Sequence, residues 1–133
     1  MEPRKNTRIR GEGVNHKLND NRSSCISFGE DKILRDFKEL ASGRFEDKRL
    51  YANLLNAFDE LKLNPLAGVV ISKSKWPREY VKKYAINNLQ KFDLPDGWRL
   101  VYTLDGSEEK LAITVLEWLK HKDYEKRFHY EVG

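Results

Sequence analysis

Arg99 interrupts an apolar stretch, Trp98-Arg99-Leu100-Val101-Tyr102-Thr103-Leu104, and the carboxyl-terminal run supplies His121, Lys122, Tyr124, Lys126, Arg127, His129 and Tyr130. Between residues 73 and 91 stand Lys73, Lys75, Arg78, Lys82, Lys83 and Lys91 against the single acid Glu79. Cationic side chains neutralise phosphates and aromatic rings stack on exposed bases, so this set of residues suits single-stranded RNA. The same types could also cut RNA without a metal. The 2′-hydroxyl attacks the adjacent phosphate when one group takes its proton, a cation stabilises the phosphoryl oxygens and another group protonates the departing 5′ oxygen. Each residue also has a structural reading: Arg99 pairing with a carboxylate across a sheet, Tyr124 as core, His129 as an exposed terminal residue, the lysines as a solvated surface.

Other chemistries find less support. The only histidines are His16, His121 and His129, with no HExxH and a single cysteine, Cys25, so a dedicated metal centre is not expected. The eight glycines are scattered at turns and form no Walker or dinucleotide loop, so no cofactor is expected. Cys25 opens an apolar stretch and reads as a small buried residue rather than a nucleophile. One cysteine, no long apolar run and no secretory leader pattern predict a soluble, cytoplasmic chain without a membrane partner.

The 133 residues fit one domain. Net charge is +4, from 25 Lys+Arg against 21 Asp+Glu. Residues 1–24 carry six of those bases (Arg4, Lys5, Arg8, Arg10, Lys17, Arg22) and three acids, lack periodicity and read as a flexible basic arm on a domain spanning 25–133. Within the domain, Cys25 to Phe28 alternates as a short strand. Ile33, Leu34, Phe37 and Leu40 then recur at helical spacing, and Leu50, Leu54, Ala57, Phe58 and Leu61 line a second helix ending before Asn64-Pro65. Together they predict a helical hairpin. Residues 68–72 read as a strand, 77–86 as a short helix or ordered loop, and 89–94 as a strand running into the Pro95-Asp96-Gly97 turn. Trp98–Leu104 and Leu111–Trp118 continue as strands, and Tyr124 and Phe128, four apart, predict a short terminal helix. The expected fold is α+β: a small twisted antiparallel sheet with the helical hairpin packed on it.

Gly97-Trp98-Arg99-Leu100-Val101-Tyr102 resembles the glycine, aromatic, Arg, Leu, Val, Tyr strand of the RelE/ParE toxin superfamily. Asn64-Pro65-Leu66-Ala67-Gly68 resembles the family's entry into its sheet, and residues 121–128 resemble its basic, tyrosine-bearing end. The resemblance runs from about residue 25 to the terminus. It implies a ribosome-dependent endoribonuclease that cuts messenger RNA in the decoding site and is held inactive by a cognate antitoxin. Carried over, Arg99 matches the arginine that contacts the scissile phosphate. In the tail, Lys122 with Tyr124, or Arg127 with Tyr130, match the phosphate-stabilising and stacking or proton-transfer groups, and Arg127-Phe128-His129-Tyr130 is similar to the YoeB-type terminus. Counting back from Gly97 puts Gln90 and Phe92 where RelE has two alternating lysines, with Lys91 on the opposite face. Lys73, Lys75 or His129 are then candidates for the base. The ParE branch shares the fold but inhibits DNA gyrase, and a member that only binds antitoxin or RNA is a further alternative.

Overall fold

The computed structural model describes residues 22–129, so most of the basic arm and Tyr130 lie outside the described residues. The chain begins with strand β1 (Ser23–Phe28), followed by helices α1 (Asp31–Leu40) and α2 (Phe45–Leu63). Strand β2 (Val69–Val70) and helix α3 (Arg78–Tyr84) lead into strands β3 (Gln90–Asp93), β4 (Trp98–Gly106) and β5 (Lys110–Lys120), and helix α4 (His121–His129) closes the described chain.

Helix limits follow local chemistry. α1 has Asp31 in its first turn and Lys38 in its last, each matched to the helix dipole, and buries Ile33 and Phe37. The Asp47 carboxylate accepts the Arg44 backbone N–H at 3.0 Å, satisfying a donor at the start of α2. α2 buries Leu50, Leu54, Ala57, Phe58 and Leu61, the face its spacing predicts. It stops where Pro65 has no N–H to continue the ladder, and Asn64 Oδ1 instead accepts the Leu66 N–H at 3.2 Å.

The five strands form one sheet in the order β1-β5-β4-β3-β2. β2 to β5 pair antiparallel as expected, but β1 lies parallel to β5, from Ser23↔Lys110 to Phe28↔Val115, so the sheet is mixed rather than antiparallel. α1 and α2 carry the chain from β1 across to β2 at the opposite edge, and β5, the last strand in the chain, pairs with β1 in the same direction, an arrangement no tight hairpin could join. The fold is therefore α+β, with helices on both faces. On one face Ile33 and Phe37 of α1 and the α2 stripe pack with Leu100, Tyr102, Ile113 and Val115. On the other, Tyr80 of α3 and Tyr124 and Phe128 of α4 pack with Leu89, Val101, Leu116 and Leu119.

Two local expectations change. Ile26 and Phe28 pack against the α1–α2 core, which puts Cys25 on the other face of an edge strand, exposed and not buried. The strand expected at 68–72 shrinks to Val69–Val70, with both side chains exposed. Gly68 accounts for the tight join: a Cβ there would lie 2.6 Å from the Lys91 carbonyl oxygen and would collide with the Tyr102 hydroxyl. That hydroxyl donates to the Pro65 carbonyl at 3.2 Å, and burial pushes its pKa up to about 12. Gly68→Ala should therefore cost about 1 to 2 kcal/mol, read as a lower urea midpoint with an unchanged slope.

Candidate nucleic-acid interface

The β3–β4 hairpin places the residues of greatest interest. Its turn uses the two left-handed residues Asp96 (φ 65°) and Gly97 (φ 80°), and the Leu94 N–H donates to the Trp98 carbonyl at 2.8 Å to close it. The resulting register sets Asp93 opposite Arg99 and Lys91 opposite Val101. Directly paired residues project to the same side of a sheet. Lys91 therefore shares the face of Arg99, whereas Gln90 and Phe92, opposite Tyr102 and Leu100, project to the other. This corrects the sequence-based count, which placed Lys91 away from the site.

Arg99 Nε lies 3.2 Å from Asp93 Oδ1, and Lys91 Nζ donates to the same oxygen at 3.3 Å. The Arg99 and Lys91 side chains are 23% and 21% exposed, Asp93 65%. The Arg99 guanidinium also sits 4.7 Å from the centroid of the Tyr124 ring, which stacks on Phe128 at 4.3 Å. Tyr124 is buried, so the ring supports Arg99 from beneath. Burial raises the Tyr124 pKa, against the lowering effect of Arg99, so the phenol stays protonated at neutral pH. The structural readings of these two residues thus hold: Arg99 pairs across the sheet and Tyr124 belongs to the core. A carboxylate two positions after Lys91 and just before the turn was the signal for Asp93, which is not among the sequence candidates.

Arg127 is held elsewhere. Its Nη1 donates to Glu79, and its Nη2 to Glu117 Oε2 at 2.7 Å. Glu117 also accepts the Tyr80 hydroxyl. The register of β4 against β5 shifts between Val101 and Tyr102, with Val101 facing Glu117 and Tyr102 facing Val115. The extra residue, Leu116, packs on the same face on which Glu117 meets Arg127 and Tyr80, so a β-bulge presents two consecutive side chains to one side. Burial works against the Arg127 charge, but Glu117, Tyr80 and Glu79 more than offset it and its pKa rises. Tyr80 is pushed up by burial and then by Glu117. No sequence pattern marks Glu117, because a bulge breaks the alternation that would place it.

The remaining candidates are spread over the surface. His121 Nε2 lies 3.1 Å from Glu125 on the first turn of α4, and Lys83 Nζ 2.9 Å from Glu30. Lys73, Lys75, Arg78, Lys82, Lys122 and Lys126 are exposed, and among the described residues no carboxylate stands within ion-pair distance of any of them. Lys120, not a sequence candidate, lies 5.3 Å from the centroid of the Trp98 ring. His129 ends α4. Among the described residues no group of three or more His, Cys, Asp or Glu could hold a metal ion, and no helix is long and apolar enough to cross a membrane.

Glu30 offers a pH handle at the β1 edge of the sheet. The Tyr84 hydroxyl donates to it at 2.7 Å, and this bond, then Lys83, holds its carboxyl below the ordinary value of 4.5. A lowered folded-state pKa contributes stability above the unfolded value and loses it as pH falls through the folded one. Glu30→Gln should therefore melt lower than the parent at pH 7, with the gap closing below pH 4, as thermal scans at both pH values would show. Comparison with protein-family models, curated proteins and solved structures finds no match to this chain.

Proposed function

We propose that this protein is a RelE-like toxin, a metal-independent endoribonuclease acting on ribosome-bound messenger RNA. The observation that carries the reading is the shared face of Lys91, Asp93 and Arg99, two cations flanking one exposed carboxylate with the Tyr124 ring under the guanidinium. α1 and α2 correspond in this reading to the family's helical hairpin and α4 to its basic end. Arg99 and Lys91 hold the scissile phosphate, displacing part of their pairing with Asp93 and stabilising the charge that builds on its equatorial oxygens. Asp93 is the acceptor best placed for the 2′-hydroxyl proton. As the 2′-oxygen–phosphorus bond forms, the bond to the 5′ oxygen breaks, and that oxygen takes a proton from a cation of the α4 end such as Lys122. Tyr124 acts through Arg99 as a platform. Lys73, Lys75, Arg78, Lys82 and Lys126 supply longer-range attraction for the phosphate backbone. A cognate antitoxin would silence the protein by covering this face.

The products expected from this chemistry are a 2′,3′-cyclic phosphate and a 5′-hydroxyl. End analysis of a message cut on ribosomes tests it: a 2′-deoxy substitution at the cut nucleotide should abolish cleavage, and continued cutting would overturn the mechanism. The pairing of Arg99 with Asp93 favours a second reading, a binder that does not cut, whether of antitoxin, RNA or gyrase. In that case the message stays intact while the protein still associates with its target.

A further inference from the structure

Among the described residues the edge of β5 beyond β1 is open. The ladder between them ends at Phe28↔Val115, with the Gly29 N–H donating to the Val115 carbonyl at 2.8 Å, after which the chain turns away into α1. Gly29 makes this exit possible, since a Cβ there would stand 3.0 Å from Tyr84 Cε1 and 3.1 Å from Leu116 Cδ2. Among the described residues no strand pairs with Leu116–Lys120 on that side. A cleft of about 660 Å³ lies there, and the consecutive residues Leu116, Glu117 and Trp118 all line it. Three successive strand residues can line one cleft when it runs along the strand's edge, with the bulge turning one of them.

The two walls differ in chemistry. The α1 wall presents Ile33 and Leu40 beside Trp118, with Lys32 and Asp36 neutralising each other at 2.8 Å. The α3 wall presents Glu79, Glu117 and Tyr80, with Glu30 at the β1 end. Three carboxylates on that side, Glu30, Glu79 and Glu117, face two cations, Lys83 and Arg127, so the wall keeps a net negative charge in a chain of net charge +4. Side chains of an added strand alternate between the walls.

We propose that this slot receives an extended segment of a partner protein, added as a strand to the open β5 edge, in which apolar residues alternate with lysine or arginine. The apolar residues meet Ile33, Leu40 and Trp118, and the cations meet Glu79, Glu117 and Glu30. The slot lies along the β5 edge, away from the Lys91–Asp93–Arg99 group on β3 and β4, and takes a ligand of opposite charge, so this inference stands apart from the proposed ribonuclease activity.

The test is fluorescence anisotropy of the full chain with labelled octapeptides. The probe alternates Val and Lys; one comparison peptide replaces Lys with Glu, and another carries N-methyl groups at every second residue, which removes main-chain donors without changing charge. The Val/Lys peptide should bind saturably below 1 mM, and both comparison peptides at least about tenfold more weakly. Glu79→Gln, at an exposed position that leaves Arg127 its bond to Glu117, should weaken the Val/Lys peptide and raise the affinity of the Val/Glu one. Equal binding of the N-methylated peptide would overturn strand addition. Tighter binding of the acidic peptide, no binding of any peptide, or a dimer of the chain that the Val/Lys peptide fails to compete would overturn the proposed occupant.

Discussion

Arg99→Ala should lower the rate of message cleavage on ribosomes by at least about 100-fold, the scale on which loss of one fixed charge-stabilising donor acts. The side chain reaches the surface only in part, and its fixed position on the Tyr124 ring gives the phosphate contact proposed for it a defined geometry. Arg99→Lys keeps the charge but loses the planar fork and its stacking, so it should recover a small part of the rate. Because Asp93 and Tyr124 lose a favourable partner, the alanine variant should also be slightly less stable, and its melting curve should be recorded beside the cleavage assay. A folded Arg99→Ala protein that cuts at the parent rate would remove Arg99 from the site.

Glu117→Ala should destabilise the fold by about 3 kcal/mol. It removes the acceptor of the Tyr80 hydroxyl, which belongs to a side chain only 3% exposed, and one of the two carboxylates holding Arg127. The loss falls where α3, β5 and α4 meet, so it should appear as a fall of roughly 10 °C in melting temperature. Glu117→Gln keeps an acceptor for Tyr80 and should lose less. A melting temperature within a degree of the parent would show that the Arg127–Glu117–Tyr80 group contributes little to fixing α4.

Much of the frame was legible. The stripe Leu50, Leu54, Ala57, Phe58 and Leu61 and the stop at Asn64-Pro65 are local signals, and α2 forms as they predict. Pro95-Asp96-Gly97 marks the turn because only a few residue types tolerate its backbone angles, and the turn stands there. Pairing partners were less accessible. Nothing in Cys25–Phe28 states that the strand lies beside β5 and parallel to it, since that choice depends on how α1 and α2 pack on the sheet. The face of Lys91 depended on the number of residues in the turn: five separate Asp93 from Arg99, and an odd count keeps odd-numbered residues on one side. The residue type of Arg127 alone points to a site role. Its engagement with Glu79 and Glu117 follows from a bulge ten residues earlier, which has no local signature, and from how that bulge sets Glu117 against a helix nearly fifty residues earlier.

The most direct measurement is primer extension on a defined message incubated with the purified full chain, with and without ribosomes stalled at a known codon. Cuts inside the decoding codon that require the ribosome are the predicted result. A folded protein that leaves the message intact in both conditions would contradict the assignment.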